Sequence, residues 1–438
     1  MPILVRPASR TPRTVMTAAS RVIPWACLTV SLGFLALFTL IGVLRSGLFG
    51  FAGLDFGMFW AATRAFFHDG PTGPYQVSSL VHYSQPLSTY VRPNPEALVV
   101  GQAPFPPVFF AAFLPIGLMP APVGFVVWSI LGITTAVAAA RRLAARFDDP
   151  GPWLVPTLVL FFPLAFSLFL GQISVFLVWA MVEAYVALES RRDLRAGLWF
   201  GVLLLKPQYL GALVVVLAWK RRWHVLAGLA AVGAIIASAS FAVLGVSGLK
   251  EFYRLVLTNY TGFQHVQSTV YPDQMISWRG LLLNMLPHVS ERTGQTLTLV
   301  VSAATIAAVV AAWKGPWEPG SRRFNLAMLA TVAAMLLCGY HSHLQDAALL
   351  MVPAAAVAAR RGSSVYPRVL LLLSTLTFPV VYLMTDLRGV CIATGIMLAG
   401  VVATTCVWTL MPGASRWVRD STDAARADMV ADAGPTLD

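Results

Sequence analysis

Long apolar runs recur along this chain from residue 22 to residue 411, and one water-soluble core could not bury them all. The runs are continuous rather than alternating, which excludes a transmembrane β-barrel. Only 11% of the residues are charged, whereas soluble domains carry about a quarter. The sequence therefore predicts an all-α fold, a polytopic transmembrane helical bundle.

Twelve apolar segments can be delimited, and because a spanning helix needs about 20 apolar residues we predict ten to twelve crossings. The segments are about 22–44, 104–119, 122–141, 152–169, 172–189, 196–219, 223–246, 297–313, 325–339, 344–359, 368–385 and 389–411. Two long polar connections separate them, at about 45–103 and 247–296. The first contains a short amphipathic stretch, Phe56 to Phe67, followed by coil rich in proline and tyrosine. We predict a single transmembrane domain over 22–411, between a cytoplasmic tail of residues 1–21 and a disordered cytoplasmic tail of residues 412–438.

The net charge of +12 comes from basic residues that lie between the apolar runs. Such placement signals topology and contact with membrane lipids rather than nucleic-acid binding. Arg6, Arg10, Arg13 and Arg21 precede the first run, and no small-residue cleavage site follows. We predict an uncleaved first helix with a cytoplasmic N-terminus, extracytoplasmic polar connections, and a multi-pass protein of the inner (plasma) membrane.

Two basic pairs, Arg141-Arg142 and Arg191-Arg192, distinguish two topologies. If every segment spans the membrane, these pairs lie on the extracytoplasmic side, which contradicts the positive-inside rule. They move inside if segment 104–119 is re-entrant or interfacial and segment 196–219 is two half-helices broken at Lys206-Pro207. Proline breaks helices, and such breaks are tolerated where they line a cavity. We favour this second topology.

Asp55 is the first candidate for chemistry, in the stretch Gly53-Leu54-Asp55-Phe56-Gly57 just after the first apolar run. A carboxylate in such a place is rare unless it is paired, solvated or functional. An N-cap is the alternative role, because aspartate commonly caps a following helix. A carboxylate in a partly apolar cleft has a raised pKa and can act as a general base.

Lys206 is the second candidate, since apolar residues surround it on both sides. A cation at mid-membrane costs about 2.5–3.5 kcal/mol on insertion scales. Snorkelling to the nearer surface would be poor at this depth. An ammonium group at a helix break suits an anionic ligand such as a lipid phosphate.

Further polar residues mark other breaks between apolar runs. Gln172 lies in Gly171-Gln172-Ile173-Ser174, where a simple turn is the alternative. His341 and His343 lie at a helix mouth, and their spacing does not suit a helical zinc pair. Arg279, after Trp278, offers a forked donor for phosphate. The sequence lacks a glycine-rich phosphate loop, a paired-carboxylate metal motif, a cysteine-rich metal motif and a serine-nucleophile elbow.

A series of short motifs occurs in order along nearly the whole chain. They are Asp55-Phe56, Trp60-Ala61-Ala62-Thr63-Arg64, Gly73-Pro74-Tyr75, Phe105-Pro106-Pro107, Gly171-Gln172, Ala196-Gly197, Leu205-Lys206-Pro207, Ser277-Trp278-Arg279-Gly280-Leu281 and a helix start at His341. Together they resemble glycosyltransferase family 87, polytopic enzymes of the GT-C class. Two departures stand out: Phe105 where the family usually has tyrosine, and Asp273-Gln274-Met275-Ile276-Ser277 in place of an Asn-Gln-Ser element.

The resemblance implies transfer of a hexose, typically mannose, from a polyprenyl-phosphate donor to a lipid or glycan acceptor. Transfer would take place on the extracytoplasmic face with inversion at the anomeric carbon. The family's general base falls on Asp55, its lysine-proline motif on Lys206-Pro207, and its late histidine on His341 or His343. Lys206 and Arg279 would stabilise the leaving phosphate.

The remaining expected contacts are with substrate, from Gln172, Arg64, Trp60, Tyr271 and Trp278, with the aromatic rings stacking on sugar faces. The prenyl tail would lie along the apolar helices. Neither a metal nor another cofactor is demanded, since the acids are not paired. A membrane transporter is the main alternative, because transporters also place ionisable residues at broken helices, but this chain shows no internal repeat. A non-catalytic scaffold would leave Lys206 without a purpose.

Overall fold

The computed structural model describes residues 16–91, 104–147, 151–259, 271–358 and 365–410, which form eighteen α-helices and no β-strand. The first nine helices are α1 (Met16–Ser46), α2 (Leu48–Phe51), α3 (Leu54–His68), α4 (Val77–Ser84), α5 (Pro107–Gly117), α6 (Ala121–Ala144), α7 (Leu154–Val159), α8 (Phe162–Leu170) and α9 (Ser174–Glu189). The other nine are α10 (Asp193–Gly201), α11 (Leu210–Trp219), α12 (Trp223–Asn259), α13 (Trp278–Met285), α14 (Glu291–Ala312), α15 (Arg322–Cys338), α16 (Met351–Ala358), α17 (Val365–Met384) and α18 (Leu387–Leu410). The predicted tails lie mostly outside the described residues, including Arg6, Arg10, Arg13 and all of 412–438.

Five helices are long and apolar enough to cross a membrane. Their spans are Pro24–Ser46, Ala121–Ala144, Trp223–Val256, Glu291–Ala312 and Leu387–Thr409. Protein covers only 11–39% of these spans, and apolar surface left uncovered in this way suits lipid rather than water. The prediction of an all-helical membrane protein is confirmed. The count of ten to twelve crossings stays a prediction, because it depends on shorter helices.

The core of the bundle forms around α9 and α15. Thirteen of the 16 residues of α9 and 12 of the 17 residues of α15 are buried, and a helix that is apolar on most sides must be enclosed by other elements. A 3₁₀ helix, Leu344–Leu350, and then α16 continue this core. Asp346 lies inside it and is only 1% exposed.

The predicted break at Lys206-Pro207 is present. The 3₁₀ turns Val202–Leu205 and Pro207–Tyr209 separate α10 from α11, and Lys206 itself is non-helical, with φ −131° and ψ 75°. The break follows from Pro207, which has no N–H to donate within a helix. Segment 104–119 contains α5, whose 11 residues extend about 17 Å, roughly half of a membrane core.

Three other segments differ from their predicted form. Segment 152–169 is two helices, α7 and α8, rather than one, because Pro163 cannot donate to the carbonyl that a continuous helix would place four residues earlier. In the connection at 45–103, α3 covers the predicted amphipathic stretch from Phe56 to Phe67, and α2 and α4 are two further short helices that were not predicted. The connection at 247–296 holds the end of α12, all of α13 and the start of α14.

Basic side chains meet the ends of several helices on one side of the bundle. Arg142 Nε lies 2.9 Å from Glu183 Oε1, and Arg195 reaches the other oxygen of the same carboxylate at 3.4 Å. Arg146 pairs with Glu189 at 2.9 Å. These contacts bring the last turns of α6 and α9 together with the first turn of α10.

The turn from α11 to α12 joins the same cluster. Arg222 pairs with Asp193, and Lys220 Nζ donates to the carbonyls of Trp313 and Gly315 at 3.1 and 2.6 Å. We call this region the basic end. Both arginine pairs that distinguished the two topologies therefore lie on the same side as Lys220, as the broken-helix topology requires. Along α9, its first residue, Ser174, lies about 14 Å from Glu183 and about 22 Å from Glu189, at 1.5 Å per residue.

Candidate active site

Asp55 lies in the first turn of α3, behind a glycine turn. Gly53 is the N-cap, with φ 71°, and its amide donates to the carbonyl of Phe169 at 2.9 Å. The Asp55 side chain makes no capping hydrogen bond, so the N-cap alternative is wrong. The carboxylate is partly exposed and accepts a hydrogen bond from Gln172 Nε2 at 2.9 Å.

The turn between α8 and α9 holds Gln172 in place. Gly171 ends α8 with φ 71°, and a Cβ at this position would lie 2.6 Å from the Cβ of Phe56. Only glycine fits both the backbone angle and the close approach. Gln172 Oε1 accepts from the amide of Ile173 at 2.9 Å, which fixes the side-chain amide so that its nitrogen faces Asp55.

Lys206 forms a buried ion pair with Asp346. Its Nζ lies 2.8 Å from Asp346 Oδ1, and the two side chains are 8% and 1% exposed. Ser174 Oγ donates to the same oxygen at 2.9 Å. The amide of His343 donates to Oδ2, also at 2.9 Å.

Asp346 was not among the residues predicted from the sequence. The signal was present, because an acid inside the apolar segment 344–359 is a functional candidate by the same reasoning that selected Lys206.

The two carboxylates are connected through the first turn of α9. Gln172 contacts Asp55, and Ser174, two residues later, contacts Asp346. We call these four residues together with Lys206 the site network. The predicted acid and the predicted cation are thus brought into one region, but with a second acid between them.

His341 and His343 lie beside the site network. Their ring centroids are 4.6 Å apart, Gln208 Nε2 donates to the His341 carbonyl at 3.2 Å, and His343 Nδ1 lies 3.3 Å from the Gln274 carbonyl. Burial, above all, and nearby cations hold the pKa of His341 well below its usual value, and burial also lowers the pKa of His343. Both imidazoles are therefore neutral near pH 7.

Arg279 is enclosed behind the histidines. The side chain has no exposed surface. Its Nη1 donates to the Tyr340 carbonyl at 3.4 Å, and the guanidinium stacks on the Tyr340 ring at 4.8 Å. Burial lowers the pKa of Arg279 to about 10, so it stays charged at neutral pH. It can add positive potential to the site, but it does not present the open fork that the sequence suggested.

Four other predicted residues lie apart from the site network. Trp60 is 3% exposed and donates to the Met119 carbonyl at 2.8 Å, while Arg64 stacks on it at 4.3 Å and donates to the Leu118 carbonyl. Both fasten α3 to the end of α5. Trp278 Nε1 donates to Thr305 Oγ1 at 3.0 Å.

Tyr271, the fourth, is 49% exposed. Two other motifs, Gly73-Pro74-Tyr75 and Phe105-Pro106-Pro107, pack against each other. The Tyr75 hydroxyl donates to the Phe105 carbonyl at 2.9 Å in a buried contact. Within the described part of the chain, no three His, Cys, Asp or Glu side chains are grouped so that they could hold a metal ion.

Burial has its clearest chemical effect on Asp55. Removal from water raises the pKa of Asp55 to about 6, and the negative charge of Asp346 adds to the rise. Lys206 and the hydrogen bond from Gln172 act in the opposite direction. A carboxylate with this proton affinity is well matched to base catalysis near neutral pH.

Comparison with known families identifies the family of this chain. A family model described as glycosyltransferase family 87 matches residues 104–339, just over half of the chain. The chain belongs to glycosyltransferase family 87. As a family 87 member the protein is a membrane glycosyltransferase, and the transporter alternative is not favoured.

The family 87 match includes Gln172, Lys206 and Arg279. Asp55 lies before it, and His343 and Asp346 lie after it, so their assignment to the site depends on the structure. Comparisons with curated proteins and with solved structures gave no match.

Proposed function

We propose that this glycosyltransferase moves a hexose, mannose first among the candidates, from a polyprenyl-phosphate donor to a hydroxyl of a lipid or glycan acceptor. The proposal depends above all on one observation. A partly exposed carboxylate, Asp55, is oriented by Gln172 and lies in the same network as the buried ammonium group of Lys206.

Asp55 would act as the general base. In inverting transfer the acceptor hydroxyl attacks the anomeric carbon on the side opposite the phosphate. The acceptor O–H proton passes to the Asp55 carboxylate as the new C–O bond forms. The bond from the anomeric carbon to the phosphate oxygen breaks, and its electron pair leaves with the polyprenyl phosphate.

Lys206 would bind the leaving phosphate, which gains negative charge as that bond breaks. An ammonium group has three N–H donors, and one of them is directed at Asp346. Charge stabilisation is most effective where water is excluded, and Lys206 is 7% exposed. Arg279 would contribute at longer range, because its guanidinium lies behind Tyr340.

The neutral histidines and the neighbouring residues 273–277 would contact the sugar. A neutral imidazole can both donate and accept, which suits hydroxyl groups. Met275 and His343 form an isolated β-bridge, so the altered 273–277 element lies directly beside this part of the site. That contact supports a role for 273–277 in choosing the acceptor or the sugar.

The two ends of α9 support an extracytoplasmic site. Basic residues favour the cytoplasmic side, and the acids that pair with them at the basic end, Glu183 and Glu189, lie about 14 and 22 Å along α9 from Ser174. With the basic end inside, the site network lies near the opposite surface. The donor's prenyl chain would then enter along the lipid-facing helices.

The test is transfer by the purified full-length chain in lipid nanodiscs, with radiolabelled polyprenyl-phosphate mannose as donor and a total membrane-lipid extract as acceptor. Asp55→Asn should lower kcat by about 10²–10⁴-fold, the usual contribution of a general base. Asp69→Asn is the matched control, because Asp69 follows the same helix but is exposed and bonded to Tyr83.

Wild-type turnover by Asp55→Asn would remove Asp55 from the mechanism. Uptake of an intact solute into vesicles, with no new glycosidic bond, would replace the enzyme proposal by the transporter.

A further inference from the structure

The charge pattern of the site network raises a question that general-base chemistry does not answer. A cation that binds a phosphate needs positive charge, yet Lys206 is already paired with a buried acid. Burying an ion pair costs desolvation free energy, so such a pair is weak evidence for stability alone. The pair therefore calls for another explanation.

Asp346 uses both carboxylate oxygens. Oδ1 accepts from Lys206 and from Ser174, and Oδ2 accepts from the His343 amide. These three donors belong to three separate parts of the chain: the helix break, the start of α9, and the histidine turn. One carboxylate thus fixes the relative placement of the cation, the histidines and the turn that carries Gln172.

Through Ser174, Asp346 is also linked to the general base Asp55. Ser174 begins α9 two residues after Gln172, whose side-chain nitrogen contacts Asp55. Movement of Ser174 away from Asp346 would shift the same short turn that orients Asp55. The acids of the basic end that lie on α9, Glu183 and Glu189, are 9 and 15 residues further along that helix.

We propose that Asp346 is a positioning residue that couples the phosphate-binding ammonium of Lys206 to the base Asp55, through its own charge and through the first turn of α9. This proposal rests on the function proposed above. Its distinctive consequence is that Asp346 and Lys206, although partners, should act on Asp55 with opposite sign.

The charged groups around Asp55 make that sign testable. Asp346 raises and Lys206 lowers the pKa of Asp55. On its own helix, Arg64 is directed at the Leu118 carbonyl and Asp69 at Tyr83, so neither competes with this pair.

The experiment measures the acidic limb of the pH–kcat profile with the nanodisc transfer assay. Asp346→Asn should move the midpoint of that limb to lower pH, by about half to one pH unit for loss of a nearby charge. Lys206→Met should move it to higher pH by a similar amount. A merely structural role for the pair predicts slower turnover in both variants with no opposed shifts.

Two further variants complete the test. Ser174→Ala removes the neutral link while keeping both charges, so it should lower kcat several-fold and leave the midpoint unchanged. Asp346→Glu keeps the carboxylate, so the midpoint of its pH–kcat profile should equal that of the wild type, whether or not its turnover is slower. If Asp346→Asn does not fold, Lys206→Met/Asp346→Leu removes both charges together, and its midpoint should return close to that of the wild type.

Midpoints that move in the same direction, or do not move, in folded Asp346→Asn and Lys206→Met would overturn the proposal. The proposal would also be overturned if the midpoint of the double variant Lys206→Met/Asp346→Leu were displaced as far as the midpoint of Lys206→Met alone. A wild-type protein that transfers no sugar would instead refute the proposed function, and the role of Asp346 with it.

Discussion

Two ion pairs of this protein use the same chemistry in different settings. Lys206 and Asp346 are 8% and 1% exposed, whereas Arg142 is 43% exposed and only its partner Glu183, at 7%, is buried. Exposed pairs contribute about 0–1 kcal/mol, and their basic members are explained by the charge bias of membrane topology. The buried pair has no such explanation, because ordinary packing with apolar residues would be cheaper.

In a basic membrane protein such as this one, burial of both members of an ion pair indicates a functional site better than the number of charges does. The number of charges at each end is a poor guide, since the basic end holds most of them. What separates the site is that both members of its ion pair are buried, cation and anion alike, and that the pair is linked to a partly accessible carboxylate, Asp55.

The largest expected difference is in stability. Lys206→Met leaves Asp346 as a buried, unpaired carboxylate, which should cost about 3–5 kcal/mol. Arg146→Met breaks a half-exposed pair with Glu189 and should cost about 0–1 kcal/mol. Thermal unfolding in the same nanodiscs compares them directly. Equal losses would mean that the two ends do not differ in the way we describe.

The second prediction concerns the turn that holds the base. In Gly171→Ala the new Cβ would lie 2.6 Å from Phe56, on a backbone in the left-handed conformation. The substitution should therefore lower the free energy of unfolding by about 1–3 kcal/mol. It should also reduce turnover, because Gln172 would move away from Asp55. The measurements are the melting temperature and kcat.

Gly211→Ala is the matched control for this turn. Gly211 lies in α11, and a Cβ there would meet nothing within 4 Å. The change should be neutral or slightly stabilising, since alanine favours a helix. Similar losses for the two glycines would show that the α8–α9 turn is not specially constrained.

Much of the architecture could be predicted from single residues and runs. Continuous apolar segments specified helices and a membrane, Pro207 specified the break, and Asp55 was unusual enough to select. Within 45–103 the amphipathic stretch from Phe56 to Phe67 was predicted and corresponds to α3, whereas the short helices α2 and α4 were missed. Tertiary contacts that the sequence does not show hold α3 in place, such as that of Trp60 with Met119.

The pairing of site residues could not be predicted, for a physical reason. Lys206 and Asp346 are 140 positions apart, and Asp55 and Gln172 are 117 apart. Local patterns report burial and periodicity, whereas such contacts depend on how distant helices pack. The same limit explains why Trp60 and Arg64 were expected to bind substrate although they fasten α3 to α5.

The smallest expected effect is a pH-dependent change in stability. The pKa of Asp55 is about 6 in the folded protein, against 3.8 as its ordinary value. Because folding raises the pKa of Asp55, its protonated form favours the folded protein. This contribution to the free energy of unfolding is fully present below pH 3.8, where Asp55 is protonated in both the folded and the unfolded protein, and it is lost as pH rises through about 6. Above that pH the folded protein bears the cost of a partly buried carboxylate.

Asp55→Asn removes that cost. The variant should be more stable than the wild type by about 1 kcal/mol at pH 8, after allowance for solvent screening, and the difference should vanish towards pH 4. Asp193→Asn, at the basic end, breaks a contact with Arg222 and should show no gain at pH 8. Melting temperatures of the three proteins from pH 4.5 to 8 give the measurement. A constant difference between Asp55→Asn and the wild type would mean that the carboxylate is not held in a costly environment, and base catalysis by Asp55 would lose its physical basis.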